Sequence, residues 1–240
     1  MLGLYIGIIL LLNIPYVQHR MSVLVAKELS TVLGSELTVG RINIGLLNRI
    51  IIDDLVLNDQ LGKELLKIGR LSAKFEILPL FSGKISIGNV QLFSFNANLE
   101  RPTPQASTNF QFVLDAFASK DTVKKKSNLD LRINSLLIRR GKVSYDVLSA
   151  ESTPGKFNPQ HIRLSNILAN VSLKALQNDS VNAAIKRMSV EEEHSGFELK
   201  KLSLKIIAND RKMRIENFAI DLPNTSLAMD TIRMEYDSLE

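Results

Sequence analysis

The chain has 240 residues, enough for one large domain or two small ones. It is 45% hydrophobic but only 6% aromatic, lacks tryptophan and carries a net charge of +5; this excludes a disordered chain and a multi-span membrane protein, and offers no basic, aromatic-studded surface for nucleic acid. With no cysteine, disulfides and thiolate metal sites are excluded, while the redox compartment stays open.

The first element is LGLYIGIILLLNIPYV, residues 2–17, apolar apart from Asn13. As a helix it spans roughly 24 Å, somewhat short of the ~30 Å hydrocarbon core, and it reads as a membrane anchor. A secretory signal competes but needs a basic n-region and a small-x-small cleavage site, and neither is present. A buried core helix is the other alternative. The missing upstream charges predict a start further upstream. Arg20 and Lys27 behind the span, taken alone, favour a cytoplasmic body. Long domains translocate largely regardless of charge, so orientation is not encoded.

Pro15 marks the exit from the span. Residues 17–33 then predict an amphipathic helix with Val17, Met21, Leu24, Val32 and Leu33 on one side and Gly34 as C-cap. After Gly34 the apolar period changes from 3.6 to 2.

One pattern then recurs: apolar-x-apolar, two non-apolar residues, apolar-x-apolar. It fits LTVGRINI (37–44), IIIDDLVL (50–57), LKIGRLSA (66–73), ISIGNVQL (85–92) and LRINSLLI (131–138). It fits again in IRLSNILA (162–169), AAIKRMSV (183–190), FELKKLSL (197–204), MRIENFAI (213–220) and LAMDTIRM (227–234). Composition alone would give about three copies rather than ten. Each slip of one residue is either a hairpin turn or a β-bulge. Turn signals lie between the copies, at Asn58-Asp59 with Gly62, Ser82-Gly83, Asn178-Asp179, Ser195-Gly196, Asn209-Asp210 and Pro223-Asn224. Turns inside the copies would leave arms of about three residues, too short for a sheet. Pairs such as Lys200-Lys201 and Lys186-Arg187 are also poor at positive φ. Each copy therefore reads as one bulged strand with both apolar pairs on one face.

Between the fourth and fifth copies, RPTPQASTNF (101–110) reads as a loop. Asn109 is placed to cap a short helix whose Phe110, Val113, Leu114 and Phe117 share a face. KDTVKKKSN follows as a solvated linker, with contact of Lys124, Lys125 and Lys126 to anionic head groups as the alternative. The predicted division is an anchor at 1–18, an amphipathic helix at 19–34, a first β block at 35–102, a linker with a short helix at 103–128 and a second β block at 129–240.

Ten copies supply forty apolar positions, whose covering is worth on the order of 80 kcal/mol before chain entropy is subtracted. One short helix cannot cover ten strands. The sheet then closes on itself as an ordinary filled β core, curls into a gutter that takes hydrocarbon, or is covered by another chain. Catalytic readings are weak. EEEH (191–194) sits at a predicted turn and lacks a partner at zincin spacing; His19 and His161 are unpaired; Asp53-Asp54 occupies a bulge. These residues point away from an enzyme and imply neither cofactor nor metal.

ELTVGRINIGLLNRIIIDDLVLND (36–59) and LLKIGRLSAKFEILPLFSGKISIGNVQL (65–92) resemble the N-terminal region of the AsmA-like proteins, especially the TamB (translocation and assembly module) group. RINSLLIRRGKVSYD (132–146), FNPQHIRLSNI (157–167) and SGFELKKL (195–202) resemble the longer TamB relatives of the Bacteroidetes lineage. The resemblance implies a single-pass anchor in the inner membrane of a Gram-negative envelope and a periplasmic body. It implies an incomplete β-tube or taco with an oily lumen, and a role in outer-membrane biogenesis. That role is conduction of phospholipid between envelope membranes, or protein assembly and secretion with an Omp85-type outer-membrane partner. Family members are usually longer, and the region that meets the outer membrane has no counterpart here.

The expected fold is thus mainly β: a transmembrane helix and an amphipathic helix, then a curled antiparallel sheet, a β-groove of bulged strands. The residues expected to line it for acyl chains are Leu37, Val39, Ile42 and Ile44, then Ile50, Ile52, Leu55 and Leu57, then Leu66, Ile68 and Leu71, then Ile85, Ile87, Val90 and Leu92. In the second block they are Leu131, Ile133, Leu136 and Ile138, then Ile162, Leu164 and Ile167, then Phe197, Leu199, Leu202 and Leu204, and finally Ile215, Phe218 and Ile220.

Overall fold

The slip inside each copy is a backbone event. In a computed structural model of the chain, the strands run straight through the non-apolar pairs, and the pairing between strands steps over them. From β1 (Leu37–Gly45) to β2 (Arg49–Asn58), pairing passes from Val39↔Leu55 to Arg41↔Asp53 and skips Gly40 and Asp54. From β2 to β3 (Glu64–Phe75) it skips Asp54 and Gly69; from β3 to β4 (Ile85–Arg101), Gly69 and Ser94. Extra residues on neighbouring strands sit opposite one another, so the overall register survives while the faces are reset. Asp54, Ser94, Arg140, Asn166 and Asn217 mark the resets with φ of 56°, 54°, 56°, 50° and 53°. At Gly40 the reset needs close approach instead: a Cβ there would stand 3.0 Å from that of Asp54.

The structure describes residues 3, 7, 10–45, 48–75, 85–118, 129–177, 180–209 and 211–235; at 75, 85–87, 117–118, 129–133, 174–177 and 180 it describes backbone alone. Ten strands follow one another in a single open sheet, in chain order, completed by β5 (Leu129–Val147), β6 (His161–Gln177), β7 (Ser180–Glu192), β8 (Phe197–Ala208), β9 (Lys212–Leu222) and β10 (Thr225–Glu235). The turn signals at 59–62, 195–196, 209 and 223–224 fall between strands and Asn58 ends β2; Ser82-Gly83, Asn178-Asp179 and Asp210 lie outside the described residues.

The sheet is mixed, which corrects the antiparallel expectation: β4 and β5 are parallel. A strand that leaves at one end of the sheet and re-enters at the other needs a crossover of a dozen or more residues, and 102–128 supplies it. The crossover carries α2 (Gln111–Ala118). Asn109 does not cap this helix; its side chain accepts from the Glu100 amide at 2.9 Å and donates to the Asn98 carbonyl at 3.1 Å. Val113 is buried, whereas Leu114, expected beside it, is exposed; the side chain of Phe117 lies outside the described residues.

Helix α1 (Pro15–Leu33) starts with proline at its first turn after an extended Ile14 and ends on a left-handed Gly34 at φ 65°. Its orientation corrects a second expectation. Leu24 and Val32 are exposed, and Ser22 and Leu33 are buried. The helix lies along the free edge of β1, so most of its inner side answers edge backbone groups, while Leu33 near its end joins the apolar core. Ser30 Oγ accepts from the Leu37 amide at 2.9 Å and donates to its carbonyl at 3.2 Å. At the other end, Asn13 Nδ2 donates to the Ile44 carbonyl at 2.9 Å. Among the described residues no helix is long and apolar enough to cross a membrane; residues 1, 2, 4–6, 8 and 9 of the anchor expectation lie outside them.

Candidate functional site

Resetting the faces has a cumulative result. One row of directly paired residues crosses all ten strands: Ile42, Ile52, Leu71, Leu92, Ile138, Ala169, Met188, Leu202, Ile220 and Leu227. Every member is apolar. A second row, Ile44, Ile50, Ala73, Val90, Leu136, Val171, Ile185 and Leu204, crosses eight strands without a polar residue. A third runs from Leu37 through Leu57, Leu66, Ala97, Val143 and Leu164 to Glu192 and Phe197. Val39, Leu55, Ile68 and Phe95 form a shorter one.

The remaining expected positions fall in the same frame. Ile162 pairs with Tyr145, Ile167 with Gly141, Leu199 with Val190, Ile215 with Ile206 and Ile232, and Phe218 with Met229. Ile85, Ile87 and Leu131 are placed by backbone pairing only, and the side chain of Ile133 lies outside the described residues.

The face is not uniformly open. Leu33 of α1 and Val113 of α2 join Leu37, Leu55, Leu57, Leu65 and Ile68 in a buried cluster, with Phe95, Leu99, Phe110 and Phe112 packed around it. Leu37, Leu55, Leu57 and Ile68, expected in the lining, therefore lie beneath the helices. Ile52, Leu71 and Leu92 pack half-buried against this cluster. Outside it Ile42, Ile167, Ala169 and Leu199 are also buried, Ile138, Leu202 and Ile220 are half-buried, and Leu227 and Phe197 are 45% and 49% exposed. Among the described residues the backbone of each strand lies beside only that of its sequence neighbours.

The opposite face is largely polar. Arg41, Asp53 and Arg70 pair across β1–β3, with Arg70 Nε 2.6 Å from Asp53 Oδ1. Lys205 and Arg214 flank Glu216 at 2.8 and 3.0 Å. Several of the sequence candidates for chemistry hydrogen-bond within the sheet and its turns. Glu191 accepts from Asn166 at 2.8 Å. Glu192, 2% exposed, staples the β7–β8 turn. Burial pushes its carboxyl up, but hydrogen bonds from Ser195 Oγ and from the amides of Ser195, Arg163 and His194 outweigh that and hold it at about 2. His161 Nδ1 lies 2.9 Å from Asp146 Oδ1 and its Nε2 3.0 Å from the Ala150 carbonyl; two acceptors favour the protonated ring and raise its pKa. His19 is exposed on α1, and among the described residues no group of three acidic or histidine side chains gathers as metal ligands.

The copy pattern misses Phe95, Ala97, Leu99, Val143 and Tyr145, which extend the rows beyond the second reset of β4 and β5. No protein-family model matches the chain, and no curated protein matches it.

Proposed function

We propose that the chain is a membrane-anchored β-groove that carries phospholipid acyl chains along the apolar face of its sheet, between the inner and outer membranes of a Gram-negative envelope. One observation carries this reading: a row of ten apolar residues crosses every strand, and all of it except Ile42 and Ala169 stays partly exposed once α1 and α2 have taken their places. A two-tailed lipid loses on the order of 25 kcal/mol on entering water, at about 0.8 kcal/mol per CH₂. A continuous apolar strip lowers that cost at each step without any specific bond. The resemblance of segments such as 36–59 and 65–92 to TamB proteins supports the same reading and, with it, an anchor in the inner membrane.

A second reading, an assembly module working with an Omp85-type partner, is favoured by β10. That strand is exposed at every position but Ile232, and no strand pairs with its outer edge among the described residues.

Mass spectrometry of hydrophobic molecules retained by the purified full-length chain tests the proposal. Diacyl phospholipid is expected. Leu204→Asp, on the apolar face, should lower its amount; Ser203→Asp, one residue away on the other face, should not. Equal retention by both variants, or a folded chain free of lipid, overturns the carrier reading.

A further inference from the structure

Helix α1 is docked the unusual way round for a helix in water. Its sheet-facing side is small and polar: Gln18, Ser22, Ala26 and Ser30 recur every four residues, with Ser22 only 1% exposed. Gln18 Nε2 donates to Asn43 Oδ1 at 2.6 Å, and Ser30 bonds the Leu37 backbone. The outward side carries Tyr16, Arg20, Val23, Leu24 and Lys27. Tyr16, Val23 and Leu24 are 66%, 54% and 60% exposed. Arg20 lies over the Tyr16 ring at 5.4 Å and donates from Nε to its hydroxyl at 3.2 Å.

We propose that this outward face of α1 lies on an anionic phospholipid surface, which rests on the anchor reading above. Two observations choose that occupant. The face continues at its N-terminal end into the apolar run, where Leu10, Leu11 and Ile14 are also exposed. Its charges are mostly basic, Arg20 and Lys27 against Glu28 at the margin. Leucine and valine flanked by arginine, lysine and tyrosine suit the boundary between head groups and acyl chains. The consequence is orientational. Because the inner side of α1 covers the β1 edge, its outer side points away from the sheet. The bilayer then lies beyond β1, and the apolar rows lead away from the membrane surface, strand by strand.

The chain has no cysteine, so single cysteines are unique. Val23→Cys, Leu24→Cys, Leu10→Cys and Leu61→Cys, each labelled with an environment-sensitive fluorophore, would be reconstituted as full-length chain into vesicles of phosphatidylcholine and phosphatidylglycerol containing nitroxide lipid. All four sites are well exposed, Leu61 at 81% on the β2–β3 turn, past the C-terminal end of α1. Quenching at 23 and 24 should approach that at 10, exceed that at 61 severalfold, and weaken in pure phosphatidylcholine. Labels at 23 and 24 as poorly quenched as at 61 overturn the seating, whatever 10 shows. Equal quenching in both vesicles overturns the preference for anionic lipid. Retained lipid is measured separately: lipid kept with α1 unquenched sinks only the seating, and lipid lost with α1 quenched sinks only the carrier reading.

Discussion

Asp54 shows at one residue how the strand resets its faces. In an ordinary exposed strand position, valine is favoured and glycine is depleted. At φ 56° the order inverts, because a β-branched side chain is strained there and glycine is not. Asp54→Val should cost about 1–2 kcal/mol, and Asp54→Gly should lie within about 1 kcal/mol of the parent; urea denaturation of both variants checks the order. If valine proves the more stable, the position is not left-handed. Glu192 carries a second prediction. Its carboxyl sits at about 2 in the folded chain against an ordinary 4.5. A depressed folded pKa gives stability that is full above the unfolded value and lost as pH falls from about 4.5 toward 2. The contribution is on the order of 3 kcal/mol at neutral pH. Glu192→Gln should lose much of it and flatten the acid limb of stability against pH; an unchanged acid limb would show that the staple carries no such linkage.

The elements were legible in proportion to how purely each follows one physical rule. All ten copies of the skipped pattern lie in strands, because alternation with a one-residue reset has few other solutions. Two further resets stayed hidden for identifiable reasons. In VQLFSFNA the skipped pair contains Phe93, an apolar residue on the polar face, and in LLIRRGKV the slot after Arg139-Arg140 is Gly141. That glycine makes room for Phe95, whose ring a Cβ there would overlap. The sequence reading of α1 places Val17, Met21, Leu24, Val32 and Leu33 on one side, but Leu33 turns inward while Leu24 and Val32 stay exposed. An edge strand also presents amides and carbonyls, and Ser30 and Asn13 answer them, while Gln18 bonds the Asn43 side chain. The parallel β4–β5 pair was within reach of the sequence, since 102–128 is too long for a hairpin, but pattern alone does not fix which end a strand re-enters.

Across the molecule, the question is whether the rows form a path or merely a greasy patch. A patch tolerates local damage: one charge removes the lipid nearest to it and leaves the rest. A path does not, because every tail must pass every strand. Ile138 and Leu137 are adjacent in β5 and both half-buried, but Ile138 belongs to the row that crosses all strands, whereas Leu137 pairs with Gln91 and Asn170 on the other face. Sliding an acyl chain past an unpaired carboxylate costs several kcal/mol, and each ~1.4 kcal/mol is a factor of ten in rate. Ile138→Asp should therefore slow lipid transfer between donor and acceptor vesicles on the order of a hundredfold, while bound lipid falls by less than half. Leu137→Asp should leave both close to the parent, which separates blockage from loss of folding. Transfer that falls only in proportion to bound lipid would show that the face holds lipids in independent places rather than passing them from strand to strand.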